Sequence, residues 1–229
     1  MPNKPHKRSI KSWSLADSMT GYMWNWHVYT GRQDGGRASS LMYEVVTSLC
    51  QNLYGMGHHV YMDNFFTSPS LFQEQSENQT GACGTLRASK LDAPQPVKDA
   101  KPKAGDDPHL CKNNEFLYIT WTDKRKVNLL TSIHNGSCFL KRVRSWASQN
   151  RLREVRKPKA VQLYSQHVGG VDQADKQLKY FLVLHRCLND YERQGRARSG
   201  CPLAILECLA RLTARHFSDN PELAVTRTW

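Results

Sequence analysis

Asp63 closes a β-prone run, Val60-Tyr61-Met62-Asp63, and leads into Asn64-Phe65-Phe66-Thr67-Ser68; far downstream, Asp172 and Asp175 stand three residues apart in Gly169-Gly170-Val171-Asp172-Gln173-Ala174-Asp175. The residues before Asp63 favour a strand, so its carboxylate should emerge at a strand exit. On a helix, side chains at i and i+3 share a face, so Asp172 and Asp175 would project together. Hard divalent cations such as Mg2+ take oxygen ligands and keep several waters, which suits a site of few carboxylates. Two such ions can stabilise the attacking and leaving oxygens of a phosphodiester. The same residues also suit plainer roles: Asp63 can open a turn, and an Asp after Gly-Gly can sit favourably at a helix N-terminus.

Asp63-Asn64-Phe65-Phe66-Thr67-Ser68, Gly84-Thr85-Leu86-Arg87 and Gly169-Gly170-Val171-Asp172-Gln173-Ala174-Asp175 resemble the signature blocks of the piggyBac transposase family. So do Pro2-Asn3-Lys4-Pro5-His6-Lys7, Ile10-Lys11-Ser12-Trp13, Asp17-Ser18 and Tyr29-Thr30-Gly31, all in the family's order. The likeness runs over residues 2–180, with a poor match at 91–114. It implies an RNase H-like DNA strand-transfer core in which three acidic residues hold divalent metal and a further Asp lies nearby. Carried onto this sequence, Asp63 is the second acid, Asp172 the third and Asp175 the nearby one. The family's first acid lies on a strand upstream of the Lys-Pro block, where this chain opens with Met1. Asp17 falls instead in the later strand-turn block. A hard cation is held by ligand charge and geometry, so loss of one carboxylate of three implies at most weak Mg2+ binding and a catalytically incomplete, DNA-binding protein. The alternatives are an active enzyme whose missing ligand comes from another chain or from Asp17, and a transposon fragment without activity; a homodimer or a completing partner chain is the further partner expected. The resemblance also implies a nuclear location.

Composition agrees with a nucleic-acid partner. Lys and Arg total 32 against 20 acids, a net charge of +12. Such an excess favours phosphate backbones electrostatically. It is densest at residues 141–159, where Lys141, Arg142, Arg144, Arg151, Arg153, Arg156, Lys157 and Lys159 face one acid, Glu154, with Trp146 among them. These are the candidate DNA-binding residues; a solvated basic face is the plainer alternative. No apolar run approaches a membrane span, and Met1-Pro2-Asn3-Lys4-Pro5-His6-Lys7-Arg8 lacks the apolar stretch of a secretory signal. The seven cysteines are scattered with no Cys-x-x-Cys pair, so reduced structural thiols are expected and zinc is not.

The elements that must position these groups can be read in order. Alternation over residues 22–29 fits a strand with Tyr22, Trp24, Trp26 and Val28 on an apolar face, paired through the turn at 17–21 with a strand over 11–16. A helix is expected over 41–54, with Met42, Val45, Val46, Leu49, Cys50 and Leu53 on one side, Ser39 or Ser40 as cap, and Gly55 and Gly57 as stop signals. A strand over 58–63 follows, then a helix capped by Ser68 with Pro69 in its first turn. The Pro-rich, charged stretch 91–114 reads as a flexible connection, and 116–121 with 126–133 as a hairpin. A helix from about Val171 carries the last two acids, and a further helix could follow Pro202.

The expected fold class is therefore α/β, an RNase H-like mixed sheet with flanking helices, lacking its first strand and bearing a β-rich insertion. Its parts divide as core 1–90, linker and basic insertion 91–157, return to the core 158–190 and a divergent tail 191–229. An interior strand missing from a sheet leaves backbone groups and apolar surface uncovered, so marginal stability or reliance on a partner is expected.

Overall fold

Alternating residues build the first hairpin: β1 (Ser12–Asp17) and β2 (Met23–Val28) pair antiparallel, with a register shift between Leu15 and Ala16. This computed structural model describes residues 12–29, 38–87, 93–113, 115–144, 152–180 and 221–228. Asp17, itself buried, closes the hairpin: its Oδ1 accepts from the Met19 amide (2.9 Å), the Thr20 amide (2.6 Å) and the Thr20 hydroxyl (2.9 Å). That is the turn chemistry in which a short carboxylate caps backbone donors just ahead of it. The apolar face expected on β2 is less clean than its alternation suggested. Met23 is buried, Trp24 and Trp26 are half-buried and Val28 is exposed, because β2 is the outer strand of its sheet.

Helix α1 (Ala38–Cys50) runs into a 3-10 turn at Gln51–Leu53. Its expected apolar face is buried at Met42, Val45, Val46, Leu49, Cys50 and Leu53. Ser39 and Ser40 fall inside the helix and do not cap it. Gly55 and Gly57 both take φ of 75°, a conformation costly for other residues, and reverse the chain into β3 (His59–Met62). Helix α2 (Pro69–Glu77) starts as its sequence dictates: the Ser68 hydroxyl accepts from the Leu71 amide at 3.3 Å and Pro69 takes the first turn. It returns to β4 (Gly81–Thr85), parallel to β3.

The stretch expected as a flexible connection is partly ordered. Past residues 91 and 92, which lie outside the described residues, it forms α3 (Gln95–Asp99), with Ala93 and Val97 in the core, and β5 (His109–Asn113). β5 pairs with β6 (Phe116–Thr122), and β6 with β7 (Lys126–Thr131), which gives the expected hairpin. β7 then pairs antiparallel with β4, so this hairpin continues the main sheet. Strands β8 (Cys138–Arg144) and β9 (Leu152–Pro158) form a separate two-stranded ribbon. Two helices follow, α4 (Lys159–His167), which sequence patterning did not anticipate, and α5 (Gly170–Tyr180). The helix expected after Pro202 lies outside the described residues.

The last described strand, β10 (Glu222–Thr228), decides the architecture. The main sheet has the order β2-β1-β10-β3-β4-β7-β6-β5. β10 is thus interior, antiparallel to β1 from Ser12↔Thr228 to Asp17↔Leu223 and parallel to β3 from Glu222↔His59 to Val225↔Met62. Leu223, Ala224 and Val225 are 4%, 0% and 0% exposed. The expectation of an open interior slot is corrected here: a strand from the C-terminal end of the chain fills it. The backbone groups that would have been uncovered on β1 and β3 are paired, which removes the reason for expecting a marginal sheet. The resulting mixed α/β architecture matches the expected fold class.

Candidate nucleic-acid interface and acidic centre

Asp63 follows β3 directly, half-buried. Its Oδ1 accepts from the Phe65 amide (2.8 Å) and the Phe66 amide (3.4 Å), and its carbonyl accepts from the Thr67 amide (3.2 Å) and hydroxyl (2.8 Å). The Asp-Asn-Phe-Phe-Thr-Ser block is thus a self-capped turn that also delivers Ser68 to α2. Gly84 on β4 allows it to close, since a Cβ there would lie 2.1 Å from the Thr67 hydroxyl oxygen.

Register fixes what stands near Asp63. Met62 pairs with Val225 on one side and Gly84 on the other, the last rungs of both ladders, so Asp63 emerges just past the end of β3, near Thr85 of β4. Thr85 Oγ1 lies 3.3 Å from the Tyr164 hydroxyl of α4. Burial pushes that phenol up to about 12, the Thr85 hydrogen bond opposes the shift, and the Asp63 charge adds to it. Tyr164 is therefore a neighbour of the acidic centre that sequence reasoning missed. The apolar spacing Ala160, Val161, Tyr164 was the available signal for its helix, obscured by the basic residues before it.

Asp172 lies exposed in the first turn of α5. This helix starts against the β1–β2 corner: a Cβ on Gly170 would meet the Asp17 carbonyl oxygen at 2.5 Å and the Ser18 Cα at 2.9 Å. Val171 and Ala174 are buried behind it, as the expected apolar face requires. In the ladder Asp17 stands opposite Leu223, itself opposite Val60. Asp63 therefore lies three residues further along β3, about 10 Å at the strand rise. Asp175 occupies the next turn of α5, and its side chain is outside the described ones. Among the described residues, no three His, Cys, Asp or Glu side chains are placed to hold a metal ion together. Asp63 and Asp172 are oxygen donors of the kind a hard divalent cation takes, and one oxygen of Asp63 already accepts the Phe65 and Phe66 amides.

A second polar cluster gathers at the opposite end of β3 and β10. His59 Nδ1 lies 3.0 Å from Glu222 Oε1, and the Ser18 hydroxyl lies 3.0 Å from His167 Nδ1. Burial raises the Glu222 carboxyl, but hydrogen bonds from His59 and Tyr61 and the neighbouring imidazoles of His59 and His167 outweigh it, so the net shift is downward. His134, 2.9 Å from the Thr131 hydroxyl, is pushed down to about 4, chiefly by burial. Glu222 opposes that shift, while His59, His167 and Lys159 add to it. An imidazole held neutral in the fold takes up its proton later than it does in the unfolded chain. Its contribution to stability is complete above about 6.5 and is lost as pH falls towards 4. A melting-temperature profile over that window should fall with acidification, and His134→Gln should flatten it; an unchanged slope would exclude His134 as its source.

The basic residues sit mainly on the β8–β9 ribbon. Its register pairs Leu140↔Arg156, Arg142↔Glu154 and Arg144↔Leu152 on one face, and Phe139↔Lys157, Lys141↔Val155 and Val143↔Arg153 on the other. Val155 packs against the core around Tyr61, Trp121 and Leu129, and Lys157 Nζ stands 6.0 Å from the Trp121 ring centroid. Burial, then the Lys141 charge, lowers the Lys157 pKa. The second face therefore turns inward at Val155 and Lys157, leaving Arg142, Arg144 and Arg156 with the outer face, where Leu140 is 64% exposed. Arg142 Nε lies 3.0 Å from Glu154 and Arg156 3.2 Å from Asp107. Lys159 begins α4, while Arg151 and Trp146 lie outside the described residues.

The chain matches the family described as Transposase IS4 over residues 1–193. It belongs to the piggyBac-type transposase family. Human piggyBac transposable element-derived protein 3 is 27% identical over 187 residues, covering 76% of this chain and 31% of that protein. Human piggyBac transposable element-derived protein 2 is 28% identical over 150 residues, 58% of this chain and 23% of that protein. The cryo-EM structure of a piggyBac transposase synaptic complex with hairpin DNA superposes with a TM-score of 0.63 at 28% identity, over 78% of this chain and 36% of the transposase. The chain thus spans about a third or less of each of these piggyBac relatives.

Proposed function

We propose that this piggyBac-derived chain is a DNA-binding protein that engages the phosphate backbone through the outer face of its β8–β9 ribbon and does not itself transfer strands. The observation that carries the reading is the placement of Arg142, Arg144 and Arg156 on one face of a two-stranded ribbon, in a chain of net charge +12. A ribbon of this kind fits a DNA groove or tracks its rim, with arginines on phosphates. Lys141, Arg151, Arg153, Lys157 and Lys159 are the further basic residues of the same stretch. The weak pairing of Arg142 and Arg156 to exposed acids does not oppose this, since surface ion pairs contribute about 0–1 kcal/mol and phosphate can displace them. Family membership supports DNA as the partner, and with it a nuclear location.

Asp63, Asp172 and Asp175 are, in this reading, the residual acidic positions of the family pattern, with at most weak affinity for Mg2+. The competing enzyme reading gives all three a catalytic role.

The test is fluorescence anisotropy with a mixed-sequence duplex at several salt concentrations. Binding should weaken steeply with salt and vary little with sequence. Arg142, Arg144 and Arg156 changed together to Ala should reduce the slope of log K against log salt by about 3, roughly one per lost phosphate contact. A salt-independent affinity, or a triple variant with the parental slope, would remove the ribbon from the interface. Mg2+-dependent cleavage of the duplex that disappears in Asp63→Ala would favour the enzyme instead.

A further inference from the structure

The turn that leads from β7 into the β8–β9 ribbon reads His134-Asn135-Gly136-Ser137, the one place in the sequence where glycine follows asparagine. Asn135 is exposed, and its Oδ1 accepts from the Ser137 amide at 3.2 Å. Such an Asx turn folds the side-chain carbonyl back over the next peptide unit, which brings Cγ towards the Gly136 nitrogen. The Ser137 N–H polarises that carbonyl and is placed for the oxyanion that attack at Cγ would create. Gly136 has no Cβ to hinder the approach. Packing keeps glycine there for a separate reason: a Cβ at 136 would lie 2.5 Å from Leu110 Cδ1. The turn also anchors its surroundings. The Ser137 carbonyl accepts from the Lys159 amide at 2.9 Å and so satisfies a donor at the start of α4, where Pro158 offers no side-chain cap.

We propose that Asn135 is a self-modification site, at which the folded chain converts its own asparagine to aspartate or isoaspartate through a succinimide. The Gly136 nitrogen gives its proton to solvent base and attacks Cγ of Asn135. A Cγ–N bond forms, the Cγ–Nδ2 bond breaks, and Nδ2 takes a proton from water and leaves as ammonia. Water then opens the ring at either of its two carbonyls. The sum is asparagine plus water giving a carboxylic acid plus ammonia, with nothing oxidised or reduced. Both products set a negative charge just ahead of the ribbon's first rung, Cys138↔Pro158. Isoaspartate also lengthens the main chain by a carbon, ahead of the Ser137 carbonyl that holds α4. The inference rests on the turn and is independent of DNA binding and of the acidic centre.

The experiment incubates the full chain under native conditions beside a synthetic peptide of residues 132–138, and follows both by tandem mass spectrometry, the chain after tryptic digestion. The tryptic fragment 127–141 carries its own control, Asn128, which is buried and followed by Leu129. The amide-to-acid mass gain should appear at Asn135 and not at Asn128, with isoaspartate among the products. The folded chain should convert at least as fast as the peptide, because the turn holds the attacking geometry that a free peptide visits part of the time. Asn135→Gln, whose ring would need a further atom, should show no gain at 135 over the same period. A folded chain that stays intact at Asn135 while the peptide converts would show that the turn protects the amide, and would overturn the proposal. So would conversion without isoaspartate, which bypasses the ring and marks direct hydrolysis.

Discussion

Removal of residues 221–229 is expected to abolish the cooperative unfolding transition of this protein. Among the described residues, β10 alone joins the β1–β2 hairpin to the five strands β3, β4, β7, β6 and β5. Without it both flanking ladders are lost, leaving unpaired backbone donors and acceptors on β1 and β3. Leu223 and Val225 leave the core as well, each contributing about 1.5–3 kcal/mol by burial, and Ala224 with them. A domain's net stability is only about 5–15 kcal/mol, so these losses together compare with the whole of it. Urea or thermal denaturation followed by circular dichroism reads the result. A gentler form keeps the main chain: Val225→Asp buries a carboxylate at a position with 0% exposure. That costs several kcal/mol, since an unpaired charge in the core finds no compensation. A truncated chain that melted like the parent would mean that β10 is ornamental.

The second large effect concerns the two glycines that precede Asp172, which behave differently although adjacent. Gly170→Ala should destabilise the protein by about 2–3 kcal/mol, because overpacking at a rigid contact forces backbone to move. Its added Cβ meets the Asp17 carbonyl oxygen at 2.5 Å and the Ser18 Cα at 2.9 Å, neither of which can rotate away. Gly169→Ala should be close to neutral, for nothing lies within 4 Å of its Cβ position. The pair separates a packing requirement from chain flexibility, since both substitutions reduce backbone freedom alike. Comparable melting temperatures for the two variants would show that α5 does not seat on the β1–β2 corner as described. For function, the consequence is that Gly170 sets where α5 begins, and with it the height of Asp172 above the sheet.

Much of the local structure is written in short-range chemistry. Ser68 followed by Pro69 starts α2 because a hydroxyl cap and a fixed φ suit a first turn. The face of Met42, Val45, Val46, Leu49, Cys50 and Leu53 is buried because helical spacing leaves it no other place. Gly55 and Gly57 stop that helix because both occupy positive φ. These signals lie within a few residues of the feature they produce. Helix α1 begins a few residues before its expected start, and α4 is hidden by the basic run preceding it, since charge masks a short apolar stripe.

The sequence by itself determined the family, the β1–β2 hairpin, α1, β3 and α2, and which acids and arginines are candidates for chemistry. Only the tertiary structure decided what surrounds them. A seven-residue run ending Val225-Thr226-Arg227-Thr228 gives little sign that it will lie at the centre of a sheet. Its partners, β1 and β3, are some 160 to 210 residues away, and strand pairing across such distances is selected by the whole core and not by local pattern. That long-range choice closes the slot a missing strand would have left, while the register of the separate β8–β9 ribbon divides its basic residues between two faces.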